Sequence, residues 1–284
     1  MSSGSQKGRP TVLLFDIGGV CVVSPFQAIL DYERSRGIPD GWINWSISQS
    51  GHDGAWQRLE RGEILLDQAF FRNFKSDLSN ERRWRAYFAR HLAKQQKGSQ
   101  GHAAGEAAYQ APSVPDIDSE WLYWEMMRIS REMDPHMFPA LKRLRRHADE
   151  SNGKLIIGAL SNTSIFPPGH PYNDAATPEG KRNTELKSIF DVFVSSAHVG
   201  MRKPDEDIYR FAVKELGTFA SSRGSKVIIE PGDIVFLDDI GANLRTAKKV
   251  GMRTIKVSLG RADLAVKELE RITGLGLTSE KARL

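Results

Sequence analysis

The sequence predicts an α/β protein: a parallel sheet flanked by helices, with a block of helices inserted after the first strand. Five short apolar runs rich in Val, Ile and Leu lie at 12–15, 155–160, 192–194, 234–237 and 254–257. Continuous apolar runs of this length suit strands buried on both faces of a sheet. Helical patterns separate several of them, and that alternation implies parallel pairing. Between about 25 and 150 the strand runs vanish and helical spacing dominates.

The first strand sits in TVLLFDIGGV, 11–20, an apolar run that ends on an acid and two glycines. The segments FQAILDYERSRG, DQAFFRNFKSDL, RRWRAYFARHLAK and EWLYWEMMRIS then carry helical periodicity. They define a helical insertion at 25–150 and leave a discontinuous α/β core at 11–24 and 151–284. Two stretches rich in Gly, Pro and small or polar residues, 94–116 and 167–183, read as long mobile loops. In PDEDIYRFAVKELG, 204–217, Pro204 suits the first helical position, Ile208, Phe211, Ala212 and Leu216 share a face, and Gly217 ends the helix. NLRTAKKVG, 243–251, is a second helix stopped by Gly251. The polar residues 1–10 lack an apolar signal core and are expected to be disordered.

Composition narrows the partners. A chain of 284 residues, 40% hydrophobic and 26% charged, can bury one large core and a smaller satellite. A net charge of +5 is mild, and its densest basic run, KRLRRH at 142–147, has no aromatic platform beside it. It reads as the solvated face of a helix with Leu144 buried, so no nucleic-acid partner is expected. Cys21, the only cysteine, excludes an internal disulfide and a cysteine-based zinc site. Set among valines, it reads as a small buried hydrophobe in a reducing compartment. The seven histidines show no pair at metal spacing, and no apolar run is long enough to cross a bilayer. A cytoplasmic protein with no membrane partner is expected; the oligomeric state is left open.

Polar residues cluster where strands end: Asp16 after the first, Ser161-Asn162-Thr163 after the second, Asp238-Asp239 after the fourth. In an open parallel sheet, ligands bind beyond the carboxyl ends of the strands, so the three clusters should converge. Lys203, in GMRKPDEDIY, is a candidate cation at the mouth of the same crevice.

In that order, FDIGGV, LSNTS, MRKPD and FLDDIGAN resemble the four motifs of the haloacid dehalogenase-like hydrolase superfamily, and the insertion falls where that family carries its type-1 helical cap. The likeness covers nearly the whole chain. FLDDIGAN and LSNTSIFPPGHPYND bring it nearest to the N-terminal phosphatase-like domain of soluble epoxide hydrolases. The resemblance implies a doubly wound, Rossmann-like sheet of order 5-4-1-2-3. It also implies Mg²⁺-dependent hydrolysis of a small phosphate monoester through an aspartyl-phosphate. Asp16 would be the nucleophile. Asp16, the Gly18 carbonyl and Asp239 would hold the magnesium, with Asp238 behind them or reaching it through water. The Ser161 hydroxyl, an Asn162 N–H and Lys203 would bind the phosphoryl oxygens, and Asn243 would orient the acidic pair.

Gly18 departs from the pattern. Phosphatases of this superfamily usually carry a second aspartate there, as general acid. Its loss costs roughly 10²–10⁴ in rate for a poor leaving group. Two rivals follow: a phospho-ligand or protein-binding module of the same fold, and a metal-free haloacid dehalogenase, against which Asp238-Asp239 argues. In the cap, GAWQRLERGEI at 54–64 offers Trp56, Glu60 and Arg61 as substrate contacts, beside the plainer reading of an amphipathic helix with Trp56 and Leu59 in its core. Trp121 and Trp124 read as cap core.

Overall fold

The computed structural model describes residues 8–98, 111–226 and 228–278. After β1 (Val12–Phe15) come α1 (Phe26–Ser35), α2 (Trp42–Gln49), α3 (Ala55–Glu60), α4 (Gln68–Leu78), α5 (Glu81–Gly98) and α6 (Ser119–Ile129). Then follow α7 (Met137–Glu150), β2 (Ile156–Ser161), α8 (Pro178–Lys187), β3 (Val192–Ser195) and α9 (Ser196–Val199). The chain continues through α10 (Glu206–Ser222), β4 (Ile234–Asp238), α11 (Gly241–Val250), β5 (Arg253–Lys256) and α12 (Ala262–Thr273).

The five strands form one parallel sheet of order β3-β2-β1-β4-β5, as expected. Its two faces are separate cores, because neighbouring strand residues point to opposite sides. Leu13, Phe15, Ile157, Val235 and Leu237 pack on Met137, Leu141 and Leu144 of α7 and on Val266 and Leu269 of α12. Val12, Leu14, Ile156, Leu160 and Phe236 pack on Ile208, Ala212 and Leu216 of α10 and on Leu244 and Ala247 of α11. Every residue of β1, β2 and β4 is buried. That is why these strands read as continuous apolar runs rather than alternating ones.

The chain packs as two compact units: Met1–Ser24 with Glu60–Gly62 and Ser130–Leu284, and Pro25–Leu59 with Glu63–Ile129. The helical unit therefore ends at Ile129, not at 150. The difference is α7, whose buried stripe Met137, Ala140, Leu141, Leu144 belongs to the sheet's own core. Its basic run is solvated only in part: exposed Lys142 pairs with Glu185, whereas half-buried Arg145 pairs with Asp149 and Asp191.

Local expectations changed in four places. Pro204 lies outside its helix, because Asp205 is still extended (ψ 138°) and α10 starts at Glu206. Gly217 does not end α10, since Leu216 and Ala220 continue the buried stripe beyond it. Part of 167–183 is helical: Thr177 Oγ1 accepts the Gly180 N–H and Pro178 opens α8. In the 94–116 stretch, α5 extends to Gly98, and 99–110 lies outside the described residues, as do 1–7. Gly251 does stop α11, in a left-handed conformation with φ 105°.

The helical unit holds all six tryptophans. Trp42 and Trp84 are buried against each other, with ring centroids 5.0 Å apart. Trp121 does not join that core; it is 52% exposed beside Tyr32. A buried carboxylate, Glu33 of α1, starts α2 by accepting the N–H groups of Gly41 and Ile43, both at 2.6 Å. Glu33→Ala would strand both donors, and each such loss costs roughly 1–3 kcal/mol. Urea unfolding followed by tryptophan fluorescence should show a clearly lower midpoint for this variant. An unchanged midpoint would show that solvent replaces the carboxylate.

Candidate active site

The parallel register sets Phe15 of β1 level with Leu237 of β4. The next residues, Asp16 and Asp238, therefore leave the sheet side by side. The Asp16 N–H still donates to the Leu237 carbonyl at 2.8 Å, so the acid sits on the last rung of the sheet. Beyond it the chain turns sharply, with the N–H groups of Val20, Cys21 and Val22 all donating to the Ile17 carbonyl. The left-handed conformation this turn needs falls on Gly19, with φ 75°. Cys21 is buried behind the turn and its thiol donates to the Asp16 carbonyl at 3.1 Å, in keeping with a structural role.

Lys203 is the centre of the cluster. Its ammonium donates to Asp16 Oδ1 and Asp238 Oδ2, both at 2.8 Å, while the side chain is 1% exposed. Burial opposes charge on this lysine, but the two carboxylates outweigh it and hold its pKa above the ordinary value. Asp16 experiences the opposite balance. Burial pushes its carboxyl up to about 8; Lys203 pulls it down, while Asp238 and Asp239 push it further up. Asp239 rises to about 7 through burial and the neighbouring Asp238.

The shifts share one cause. Asp16, Asp238 and Asp239 each place an oxygen within 4.8 Å of the others, and a single ammonium faces them. Fully ionised, the cluster carries two uncompensated negative charges. That is the deficit a divalent cation removes.

The donors fit that role unequally. Asp238 is fully committed: its oxygens accept from Lys203, from the Ile240 N–H at 2.7 Å, and from Asn243 Nδ2 at 3.1 and 3.0 Å. Among the described residues, Asn243 Nδ2 donates to Asp238, whereas the resemblance implied that it would orient both acids of the pair. Asp239 is less engaged: its Oδ1 is buried with no hydrogen-bond partner among the described residues. An orphaned carboxylate oxygen is expensive unless something positive meets it. A Cβ at Gly19 would overlap the same carboxylate, so glycine keeps the space open. Asp16 and Asp239 are therefore the side chains suited to a hard, oxygen-seeking cation.

Ser161 ends β2 buried, and its hydroxyl donates to the Asn162 carbonyl over a long 3.4 Å. The Asn162 side chain is engaged by the backbone of Lys203. The segment Glu60–Gly62 packs with the α/β unit although it lies within the helical insertion in sequence. There Glu60 Oε2 accepts from Arg202 at 2.7 Å, the Glu60 carbonyl accepts from Ser196 Oγ at 2.6 Å, and Arg61 is buried. Gly62 approaches the Ala197 carbonyl too closely for any Cβ. Trp56 packs on Phe74 and Tyr123 inside the helical unit. Arg202 was missed by sequence reasoning, although its place beside Lys203 in MRKPD was a usable signal.

A cavity of about 650 Å³ in the helical unit is lined by Asp40, Trp45, Tyr87, Arg90 and Lys94 and contains none of the candidate residues. The titratable cluster at the strand ends is the better guide.

The fold is thus a parallel α/β sheet with three aspartates and a buried lysine gathered at its carboxyl edge. The chain belongs to the haloacid dehalogenase-like hydrolase family, whose pattern matches residues 11–251. Among curated relatives, bifunctional epoxide hydrolase 2 of Sus scrofa is 38% identical over 273 residues, covering 95% of this chain and 40% of the relative. Acyl-CoA dehydrogenase family member 10 of Mus musculus is 27% identical over 275 residues, 97% of this chain and 20% of the relative. The chain thus spans less than half the length of both. Among solved structures, a dehalogenase in an intermediate complex aligns at TM-score 0.50 and 17% identity, covering 93% of this chain and 97% of that one, which is a likeness of fold. No helix among the described residues is long and apolar enough to cross a membrane.

The charge deficit makes a prediction. Mg²⁺ with trifluoroberyllate should raise the melting temperature of the wild type, and Asp239→Ala should abolish the rise. Gly19→Ala should abolish it too, by crowding Asp239. An equal rise in all three proteins would place the cation elsewhere.

Proposed function

We propose that this protein is a Mg²⁺-dependent phosphatase acting on small phosphate monoesters through an aspartyl-phosphate on Asp16. The observation that carries the reading is the Lys203 ammonium bridging Asp16 and Asp238 beside the unsatisfied oxygen of Asp239. Asp16 Oδ1 accepts from both Lys203 and the Ile17 N–H at 2.7 Å, which leaves Oδ2 to attack phosphorus. The new bond is Oδ2–P, and the bond that breaks is P–O to the leaving group. Water then attacks phosphorus, the Oδ2–P bond breaks, and Asp16 is regenerated with inorganic phosphate as product. Lys203 and the Ser161 hydroxyl hold the transferring oxygens. Magnesium, when bound by Asp16, the Gly18 carbonyl and Asp239, supplies the charge that lets an anionic phosphate approach an anionic nucleophile. Asp238 and Asn243 keep the lysine and the acidic pair in place.

Gly18 supplies no proton, and the leaving oxygen must take one from water or depart as a stable anion. Left-handed backbone falls on Gly19 rather than on Gly18, so a side chain at 18 meets no conformational penalty of that kind. The same glycine is the feature that favours a second reading, a phospho-ligand-binding module without turnover.

A phosphate-release screen over aryl, acyl, anomeric sugar and alkyl phosphates, with and without Mg²⁺, separates the two. Turnover should require Mg²⁺, vanish in Asp16→Asn, and fall steeply as the leaving-group pKa rises. Gly18→Asp should raise the rate most for alkyl phosphates, by roughly 10²-fold or more where the missing acid limits the step. Binding of phosphate without turnover on any substrate would favour the binding module. A flat leaving-group dependence would mean that another residue already supplies the proton.

A further inference from the structure

We propose that Asn162 is the positioning residue for Lys203: its carboxamide brackets the lysine's backbone and so aims the ammonium at Asp16. The kinetic test of this role rests on the phosphatase reading; the structural test below does not.

Asn162 and Lys203 lie 41 residues apart, yet one side chain meets both backbone groups of the other residue. Asn162 Oδ1 accepts the Lys203 N–H at 2.8 Å, and Asn162 Nδ2 donates to the Lys203 carbonyl at 2.9 Å. The pattern resembles a rung of a sheet, made by a side chain. It requires an acceptor and a donor on one short, planar group, which the carboxamide offers without any change of protonation.

The surroundings fix which end is which. Glu60 Oε2 stands 3.4 Å from Asn162 Nδ2, and the same oxygen takes the Arg202 guanidinium at 2.7 Å. A carboxylate on one side and a backbone N–H on the other leave a single orientation for the carboxamide. Its two N–H bonds then point at the Lys203 carbonyl and at Glu60, so no side-chain donor remains for a phosphoryl oxygen. Any phosphoryl contact by this residue would have to come from its backbone N–H. Glu60 also pairs with the side chain of Arg202, the residue just before Lys203, so the same carboxylate meets both the bracketing amide and the lysine's neighbour. The grip matters because four methylenes separate that main chain from a buried ammonium that must meet two oxygens at once.

The test uses the full chain and has two arms. In the first, the ligand-free protein is trace-labelled with acetic anhydride and each lysine is read by mass spectrometry, with exposed Lys142 as reference. Asn162→Ala should raise Lys203 labelling about tenfold relative to Lys142, by easing local opening. Glu60→Gln should raise it by a smaller factor, and it serves where Asn162→Ala does not fold. In the second arm, Asn162→Ala should lower kcat on an aryl phosphate about tenfold or more, yet cause about no further loss in a Lys203→Arg background, because the two residues act as one unit. An unchanged labelling ratio overturns the proposal. Equal losses in both backgrounds also overturn it, because Asn162 would then act on the phosphoryl group directly. If the wild type shows no turnover, the phosphatase reading fails while the labelling arm still decides the role of Asn162.

Discussion

One interaction organises this molecule: a fully buried ammonium, Lys203, held between the carboxylates of Asp16 and Asp238. Removing a charge from water costs several kcal/mol per ion, and the pair repays this only with short, well-aligned contacts. Those contacts require β1 and β4 to be neighbours in register, because the two acids follow directly on the paired residues Phe15 and Leu237. They also require the chain after β3 to return over the carboxyl edge of the sheet and deliver Lys203 there. The apolar cores on both faces of the sheet supply the stability that lets such a polar centre be buried.

The centre is balanced in geometry and unbalanced in charge. Three carboxylates face one ammonium, and Asp16 and Asp239 respond by holding their protons more tightly than usual. Asp238 is saturated by Lys203, Asn243 and Ile240, whereas Asp239 keeps an unpartnered oxygen. The two adjacent acids therefore have different tasks. Asp238 holds the lysine, and Asp239 is the side chain to which a cation would bring the larger gain. Gly19 permits the arrangement by carrying no Cβ into it.

Much of this was legible in the sequence, for a physical reason. Strands buried on both faces must be apolar throughout, so the five runs stood out, and polar residues at their ends could not belong to either core. Asp16 and Asp238-Asp239 were found in that way, Lys203 by its place before Pro204, and the structure brings Asp16, Asp238 and Lys203 into hydrogen-bonding contact. What the sequence obscured depended on tertiary packing. The stripe on α7 looks the same whether it packs on a sheet or on other helices, and it proved to belong to the sheet core. Gly217 looks like a stop, but Leu216 and Ala220 have buried places that carry α10 past it. Thr177-Pro178 was a readable helix start, hidden in a stretch dominated by Pro and Gly. The family resemblance assigned Asn162 an N–H toward the phosphoryl oxygens; the engagement of its side chain with Lys203 spans too many residues to be seen in a local motif.

The central claim is that Asp16 is a nucleophile rather than one member of a structural ion pair. Rapid quench with sodium borohydride during turnover of an aryl phosphate tests it most directly. Hydride reduces an acyl-phosphate to an alcohol, so an aspartyl-phosphate on Asp16 would leave homoserine at that position. Peptide mass spectrometry should find homoserine at position 16 alone, and only when substrate and Mg²⁺ are both present. Active turnover with no homoserine at position 16, or homoserine at Asp238 or Asp239 instead, would contradict the account.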